Sequence, residues 1–176
     1  MNKKTNRNKN ILITGMLLSL MFTFSSAHAQ VVVQMLVNDT EDKLVIETPG
    51  RCKKQPNPPG CVFATRGASH INFNLTGNKR CSASGKSWEL DSVLLSMTAD
   101  GSPGNLTDMA ASDFNADKIT GVVNPLTFNG NHIGIQNNNS GVYDIWYTVT
   151  AYCVDGGSTI DTDPRVENDG RGSMSR

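Results

Sequence analysis

Cysteine is the residue type in this chain with the widest choice of chemistry, and there are four: Cys52, Cys61, Cys81 and Cys153. Eight residues lie between Cys52 and Cys61, wider than the roughly two to four residues that separate paired zinc ligands. No two cysteines form the Cys-x-x-Cys pair of a redox site. An even number of cysteines in an oxidising compartment predicts two disulfides. We expect Cys52–Cys61 as a local bridge and Cys81–Cys153 by elimination, although the sequence alone does not exclude crossed pairs.

The segment enclosed by the first two cysteines, CKKQPNPPGC, is basic and rich in proline. Its lysines, Lys53 and Lys54, are candidate binding residues on a stapled loop that faces solvent. A rigid loop offered in extended form binds with little loss of conformational entropy. The loop 52–61 is superficially similar to the disulfide-closed reactive loops of Bowman-Birk inhibitors, although it is longer and lacks their small Thr/Lys/Ser core. A protease-inhibitor-like protein is therefore one hypothesis.

Oxygen-bearing side chains at alternate positions of DFNAD follow the first three ligand positions of an EF-hand loop. They are Asp113, Asn115 and Asp117. The pattern then requires glycine and, at its end, glutamate, but this chain has Lys118 and Asn124 there. The match fails at both anchors, and we expect neither a metal nor another cofactor.

Motifs of the common enzyme classes are also missing from the sequence. There is no G-x-S-x-G nucleophile elbow. A blue-copper site needs His and Met close after its Cys, and Val-Asp-Gly-Gly follows Cys153 instead. A non-catalytic protein is the leading expectation, and a secreted hydrolase of unrecognised motif is an alternative.

The first 29 residues have the layout of a secretory signal peptide. A basic stretch without acids is followed by the apolar run ILITGMLLSLMFTF and then by AHA, which predicts cleavage after Ala29. The remaining chain has 12 basic and 16 acidic residues, a net charge of −4. That balance argues against a nucleic-acid-binding protein, which needs a basic face. We expect a periplasmic or secreted protein without a membrane span in its mature form.

Short β-branched segments separated by turn residues dominate the rest of the chain. They predict strands over residues 31–37, 43–47, 69–76, 88–98, 121–123, 126–136, 142–154 and 158–168. Asn129-Gly130 predicts a hairpin turn, and Thr107 could cap a short helix within residues 106–114. The expectation is an all-β fold over residues 30–168, a single antiparallel sandwich or barrel of seven or eight strands, followed by a flexible polar tail at 169–176.

The C-terminal half carries a loose motif. GVYDIWYTVTAY is followed by DGGSTIDTDPRVEN, in which Asp163, Pro164, Val166 and Asn168 form Asp-Pro-x-hydrophobic-x-Asn. Over about residues 70–168 the chain resembles a set of small exported proteobacterial β-sandwich proteins of unknown function. The resemblance implies an immunoglobulin-like or cupredoxin-like sandwich, and it implies no activity.

The clearest strand, VYDIWYTVTAYCV, alternates between an apolar face and a mixed face. We place the apolar face in the core, so that Trp146 and Tyr152 point away from it as candidate binding residues. If the faces are reversed, Trp146 is instead buried against a second sheet. Exposed aromatic side chains on a sheet can stack on sugars or on partner side chains. The leading hypothesis is an exported interaction, binding or structural module of the periplasm or cell exterior. It would bind an unknown protein or glycan partner or assemble by edge-strand addition, and the sequence does not indicate its oligomeric state.

Overall fold

A computed structural model describes residues 29–38, 43–64, 69–77, 80–98, 102–162 and 164–169. The predicted signal peptide, apart from Ala29, lies outside these residues, as do Asp163 and the predicted tail after residue 169. Within the described ranges the chain forms ten strands and one short helix. The strands are β1 Ala29–Asn38, β2 Lys43–Ile46, β3 Val62–Ala64, β4 Ser69–Thr76, β5 Trp88–Ser96, β6 Thr127–Asn129, β7 His132–Asn137, β8 Val142–Cys153, β9 Thr159–Thr162 and β10 Arg165–Asp169, and the helix is α1 Asp108–Phe114.

The strands form two sheets of five. In the first sheet the order is β2-β1-β4-β7-β6; in the second it is β3-β10-β8-β5, with β9 also paired to β8. The chain is thus mostly β, with two sheets, as expected. The expected number of seven or eight strands is wrong. The short β3 was not predicted, and the segments 126–136 and 158–168 each form two strands. The predicted strand 121–123 forms only isolated bridges, at Val122 and Val123.

The pairing is not wholly antiparallel, which corrects a second expectation. β1 runs parallel to β4, and β3 runs parallel to β10. Parallel neighbours require a long connection between them, and the segments between these pairs are long enough. Side-chain alternation reveals which face of a strand is buried, but it carries no information about the direction of the neighbouring strand.

The break between β9 and β10 lies at Pro164. Proline has no backbone N–H and cannot donate to a neighbouring strand, although its carbonyl oxygen accepts a hydrogen bond from the Tyr147 N–H at 2.9 Å. β9 pairs with residues 149–152 of β8, and β10 pairs with residues 142–146. β10 is therefore not the expected edge strand, since it lies between β3 and β8.

Buried apolar side chains from both sheets belong to one core. The first sheet contributes alternate residues of β4, such as Ile71 and Phe73, and the second contributes Ile145, Tyr147 and Val149 from β8. The rings of Phe73 and Tyr147 are 5.0 Å apart between centroids. Burying one large apolar side chain stabilises a fold by about 1.5–3 kcal/mol, so this shared core accounts for the association of the two sheets.

The helix α1 begins and ends where its sequence indicates. The Thr107 hydroxyl accepts a hydrogen bond from the Ala110 N–H at 3.2 Å, which confirms the predicted N-cap. Asn115 ends the helix in the left-handed conformation, at φ 51°. Phe114 is fully buried and anchors the helix on the core.

Both expected disulfides are present, Cys52–Cys61 and Cys81–Cys153. They span nine and 72 residues respectively, and a bridge that closes a longer loop removes more entropy from the unfolded chain.

We expect Cys81→Ala with Cys153→Ala to lower the free energy of unfolding by about 4 kcal/mol, and Cys52→Ala with Cys61→Ala by about 2–3 kcal/mol. Urea unfolding measures both values, and equal losses would contradict the expectation.

All three tyrosines of the chain lie on β8, and the pKa of each is raised. Burial raises the pKa of Tyr147, whose hydroxyl donates to the Gly60 carbonyl oxygen at 2.7 Å. Burial, followed by the hydrogen bond to Asp113, raises the pKa of Tyr143. The hydrogen bond to Glu89 raises the pKa of Tyr152.

These shifts predict a loss of stability in alkaline solution. An unfolded phenol ionises near about pH 10, whereas Tyr143 and Tyr147 hold their protons in the native state. Above that pH the unfolded state has released protons that the native state retains, so the free energy of unfolding falls as pH rises. In an ultraviolet absorbance titration we expect these two phenols to ionise only as the protein unfolds. Tyr147→Phe should flatten the pH dependence, and ionisation of Tyr143 or Tyr147 in the native protein near about pH 10 would overturn the prediction.

Candidate functional site

The side of the second sheet that points away from the core is here named the outer face. On β8 it contains Asp144, Trp146, Thr148 and Thr150, all half-buried, and the exposed Tyr152. The intervening residues from Ile145 to Cys153 are buried, which confirms the predicted core side of this strand. Trp146 is thus not enclosed between the sheets. Strand register adds Phe63 from β3, Arg165 and Glu167 from β10, and Glu89, Ser92, Leu94 and Ser96 from β5.

The disulfide-closed loop 52–61 docks on the outer face through its main chain. One oxygen of the Glu167 carboxylate accepts hydrogen bonds from the Lys53 N–H at 2.8 Å and the Lys54 N–H at 3.0 Å. The Arg165 guanidinium donates to the Lys54 carbonyl oxygen at 2.6 Å. Arg165 and Glu167 are both buried, and hydrogen bonds to charged groups are the stronger ones. These contacts fix the start of the loop against β10.

The two lysine side chains keep their charges at the surface. The Lys53 ammonium lies 4.2 Å from the centroid of the Phe63 ring, a cation–π contact. The Lys54 ammonium is 3.5 Å from a carboxylate oxygen of Asp144, and the Lys54 side chain is 56% exposed. An ion pair this exposed stabilises little, so both cations are available to a partner.

Arg165 connects the loop to Trp146. Its guanidinium carbon lies 5.9 Å from the centroid of the Trp146 ring, while its amino group holds the Lys54 carbonyl oxygen. The fold therefore brings three of the four predicted binding residues, Lys53, Lys54 and Trp146, into one cluster.

The fourth predicted residue, Tyr152, lies at the opposite end of the outer face. Its hydroxyl donates to the Glu89 carboxylate at 3.1 Å. The pKa of Tyr152 is raised first by Glu89 and further by the negative charges of Asp91 and Asp155. This end of the face therefore carries an excess of acidic groups. At the loop end the charges of the buried Arg165 and Glu167 cancel, and the exposed Lys53 and Lys54 outnumber Asp144.

Arg165 and Glu167 are the residues of this site that sequence reasoning missed. The run RVEN alternates charged and other side chains, which places Arg165 and Glu167 on one face of a strand. The segment was predicted to be an edge strand, where charges lie in solvent. Only the central position of β10 in its sheet shows that both side chains are buried and must find partners.

The EF-hand-like acids have local structural partners and do not converge. The Asp113 carboxylate is buried and accepts hydrogen bonds from the Ser140 N–H at 2.9 Å, the Ser140 hydroxyl and the Tyr143 hydroxyl at 2.6 Å. Asp117 instead closes a turn, since one of its oxygens accepts from the N–H groups of Ile119 and Thr120. The Thr120 N–H is the largest contribution that lowers the pKa of Asp117.

No protein-family model matches this chain, and no curated protein matches it. In the part of the chain that the structure describes, no helix is long and apolar enough to cross a membrane.

The docked loop predicts resistance to trypsin at Lys53 and Lys54. Losing a hydrogen bond to a charged group costs about 1.5–3 kcal/mol, so Glu167→Ala should raise the population of the undocked loop, and with it the rate of cleavage, by about tenfold or more. Reducing electrophoresis detects the nick, because the Cys52–Cys61 bridge otherwise holds the fragments together. Asp144→Asn removes the Lys54 ion pair but no main-chain contact, and it is the matched control. Equal cleavage rates in both variants would show that the loop is held by other means.

Proposed function

We propose that this protein is an exported, non-catalytic β-sandwich of immunoglobulin-like or cupredoxin-like type that binds a protein or glycan partner through its outer face. The observation that carries the proposal is the docking of loop 52–61 on β10. It places Lys53 and Lys54 beside Trp146, on the same face that carries Tyr152 at its other end. The two disulfides and the signal-like N-terminal segment are consistent with export.

The chemistry of the cluster favours recognition over catalysis. The Glu167 carboxylate is already bound to two main-chain N–H groups, and the Arg165 guanidinium to a main-chain carbonyl. Both groups therefore hold the loop in place, which is a structural role and not a catalytic one. The surface offers cations, aromatic rings and hydroxyl groups, which are the groups that a binding face uses.

The docked loop also favours the binding module over the protease-inhibitor alternative. A reactive loop must offer its main chain in extended form to the protease, as in strand addition. Here the N–H groups of Lys53 and Lys54 are bound by Glu167, and the Lys54 carbonyl is bound by Arg165. The main chain at both lysines is thus occupied from within the molecule.

Site-specific photo-crosslinking tests this proposal. A benzophenone amino acid at Thr150, half-buried in the middle of the outer face, should form covalent adducts when the protein is incubated with an envelope extract of its source cells. The same amino acid at Val32, which is 37% exposed on the other sheet, is the matched control and should form few adducts. Adducts at both positions in equal yield, or at neither, would refute a partner-binding role for the outer face.

A further inference from the structure

The two ends of the outer face carry opposite charges. Lys53 and Lys54 lie at the end where β10 pairs with β8. At the other end Asp161 of β9 lies opposite Thr150, and Glu89 of β5 lies opposite Tyr152. Asp91, Asp155 and Asp161 are exposed there. A strand rises by roughly 3.3 Å per residue, so the six residues from Trp146 to Tyr152 separate the two ends by roughly 20 Å.

The basic loop and Asp161 lie on the same side of β8. β9 and β10 both pair with the edge of β8 that faces away from β5, β10 along residues 142–146 and β9 along residues 149–152. A twofold axis parallel to the face, perpendicular to β8 and above the Tyr147–Thr148 peptide, reverses the strand. It exchanges the level of Asp144 and Trp146, where the loop docks, with the level of Thr150, opposite which Asp161 lies. Under this operation Lys53 and Lys54 of each copy come to face Asp161 of the other.

The middle of the face combines apolar side chains with the hydroxyl groups of Ser92, Thr148 and Thr150. Leu94 is half-buried, and Val122, which is 42% exposed, forms a bridge with Leu94 at the edge of β5, while the Trp146 ring lies next to this group. Aromatic and apolar groups in the centre with charged groups around them are typical of protein interfaces. An interface between identical chains must in addition be self-complementary, and opposite charges at the two ends of one strand meet this condition.

We propose that the outer face binds a second copy of this chain, antiparallel across β8, with the lysines of loop 52–61 of each copy against the acidic end of the other. This inference rests on the proposed function, because it names the partner of the same face. The charges act at both ends of the interface at once, so each dimer contains two equivalent sets of ion pairs.

Charge reversal at either end tests the proposal. By analytical ultracentrifugation of the oxidised protein without residues 1–29, we expect a dimer that weakens as salt is added. Lys53→Glu with Lys54→Glu, or Asp161→Lys, should each raise the dimer dissociation constant by about tenfold or more, because like charges then repel at both ends. An equimolar mixture of the two variants should restore the wild-type dissociation constant, because every contact in the mixed dimer pairs opposite charges again.

Restored association in the mixture also shows that both variants are folded, and thermal unfolding of each variant checks this independently. A wild-type protein that sediments as a monomer at high concentration, or a mixture no tighter than its components, would overturn the proposal. With purified protein alone, the benzophenone at Thr150 should yield a covalent dimer, whereas that at Val32 should not. If the protein is a monomer that still forms adducts with envelope extract at Thr150, self-association is overturned and the proposed function stands. If Thr150 forms neither a covalent dimer nor adducts with the extract, both proposals are overturned.

Discussion

Alternation of side chains along β8 is the constraint on which both the core and the candidate binding face depend. Successive residues of a strand point to opposite faces, so one set, including Ile145, Tyr147 and Val149, is committed to the core. The other set, including Trp146 and Tyr152, is displayed on the outer face. β8 has partners along both edges, and a one-residue shift in register would exchange the two sets. The position of the outer face is thus fixed by the same pairing that builds the core.

The two buried charges of β10 explain how a surface loop becomes part of that face. Burying an ionised group without partners is costly, and neither Arg165 nor Glu167 has enough partners within its own strand. The start of loop 52–61 supplies two N–H groups and one carbonyl oxygen. The loop therefore supplies hydrogen-bond partners to the Glu167 carboxylate and to one amino group of Arg165, and these contacts determine the positions of the two lysines. The Cys52–Cys61 disulfide and the Glu167 carboxylate thus restrain the same short segment, the start of loop 52–61.

Much of this arrangement follows from local sequence patterns, and the rest does not. Alternation predicted β8 with the correct buried side, and Thr107 predicted the start of the helix. The three-residue β3 was missed because so short a run has no periodicity to detect. The parallel pairs and the burial of Arg165 and Glu167 were missed for a different reason, since they depend on which strands become neighbours, and neighbours are distant in sequence. Lys53, Lys54 and Trp146 were each predicted separately, but their proximity arises only through β10.

The central position of β10 has a consequence for the order in which this fold can assemble. β10 is the last strand of the described chain, yet it joins β3, about 100 residues earlier, to β8. Contacts between distant segments slow folding because the intervening chain must first be ordered. When the chain is synthesised from its N-terminus, the second sheet therefore stays incomplete, and loop 52–61 has no docking partner, until residues 165–169 have been made. The docked loop is accordingly among the last parts of the molecule to form, and a truncated chain that lacks these few residues would lose the contacts that hold it on the outer face.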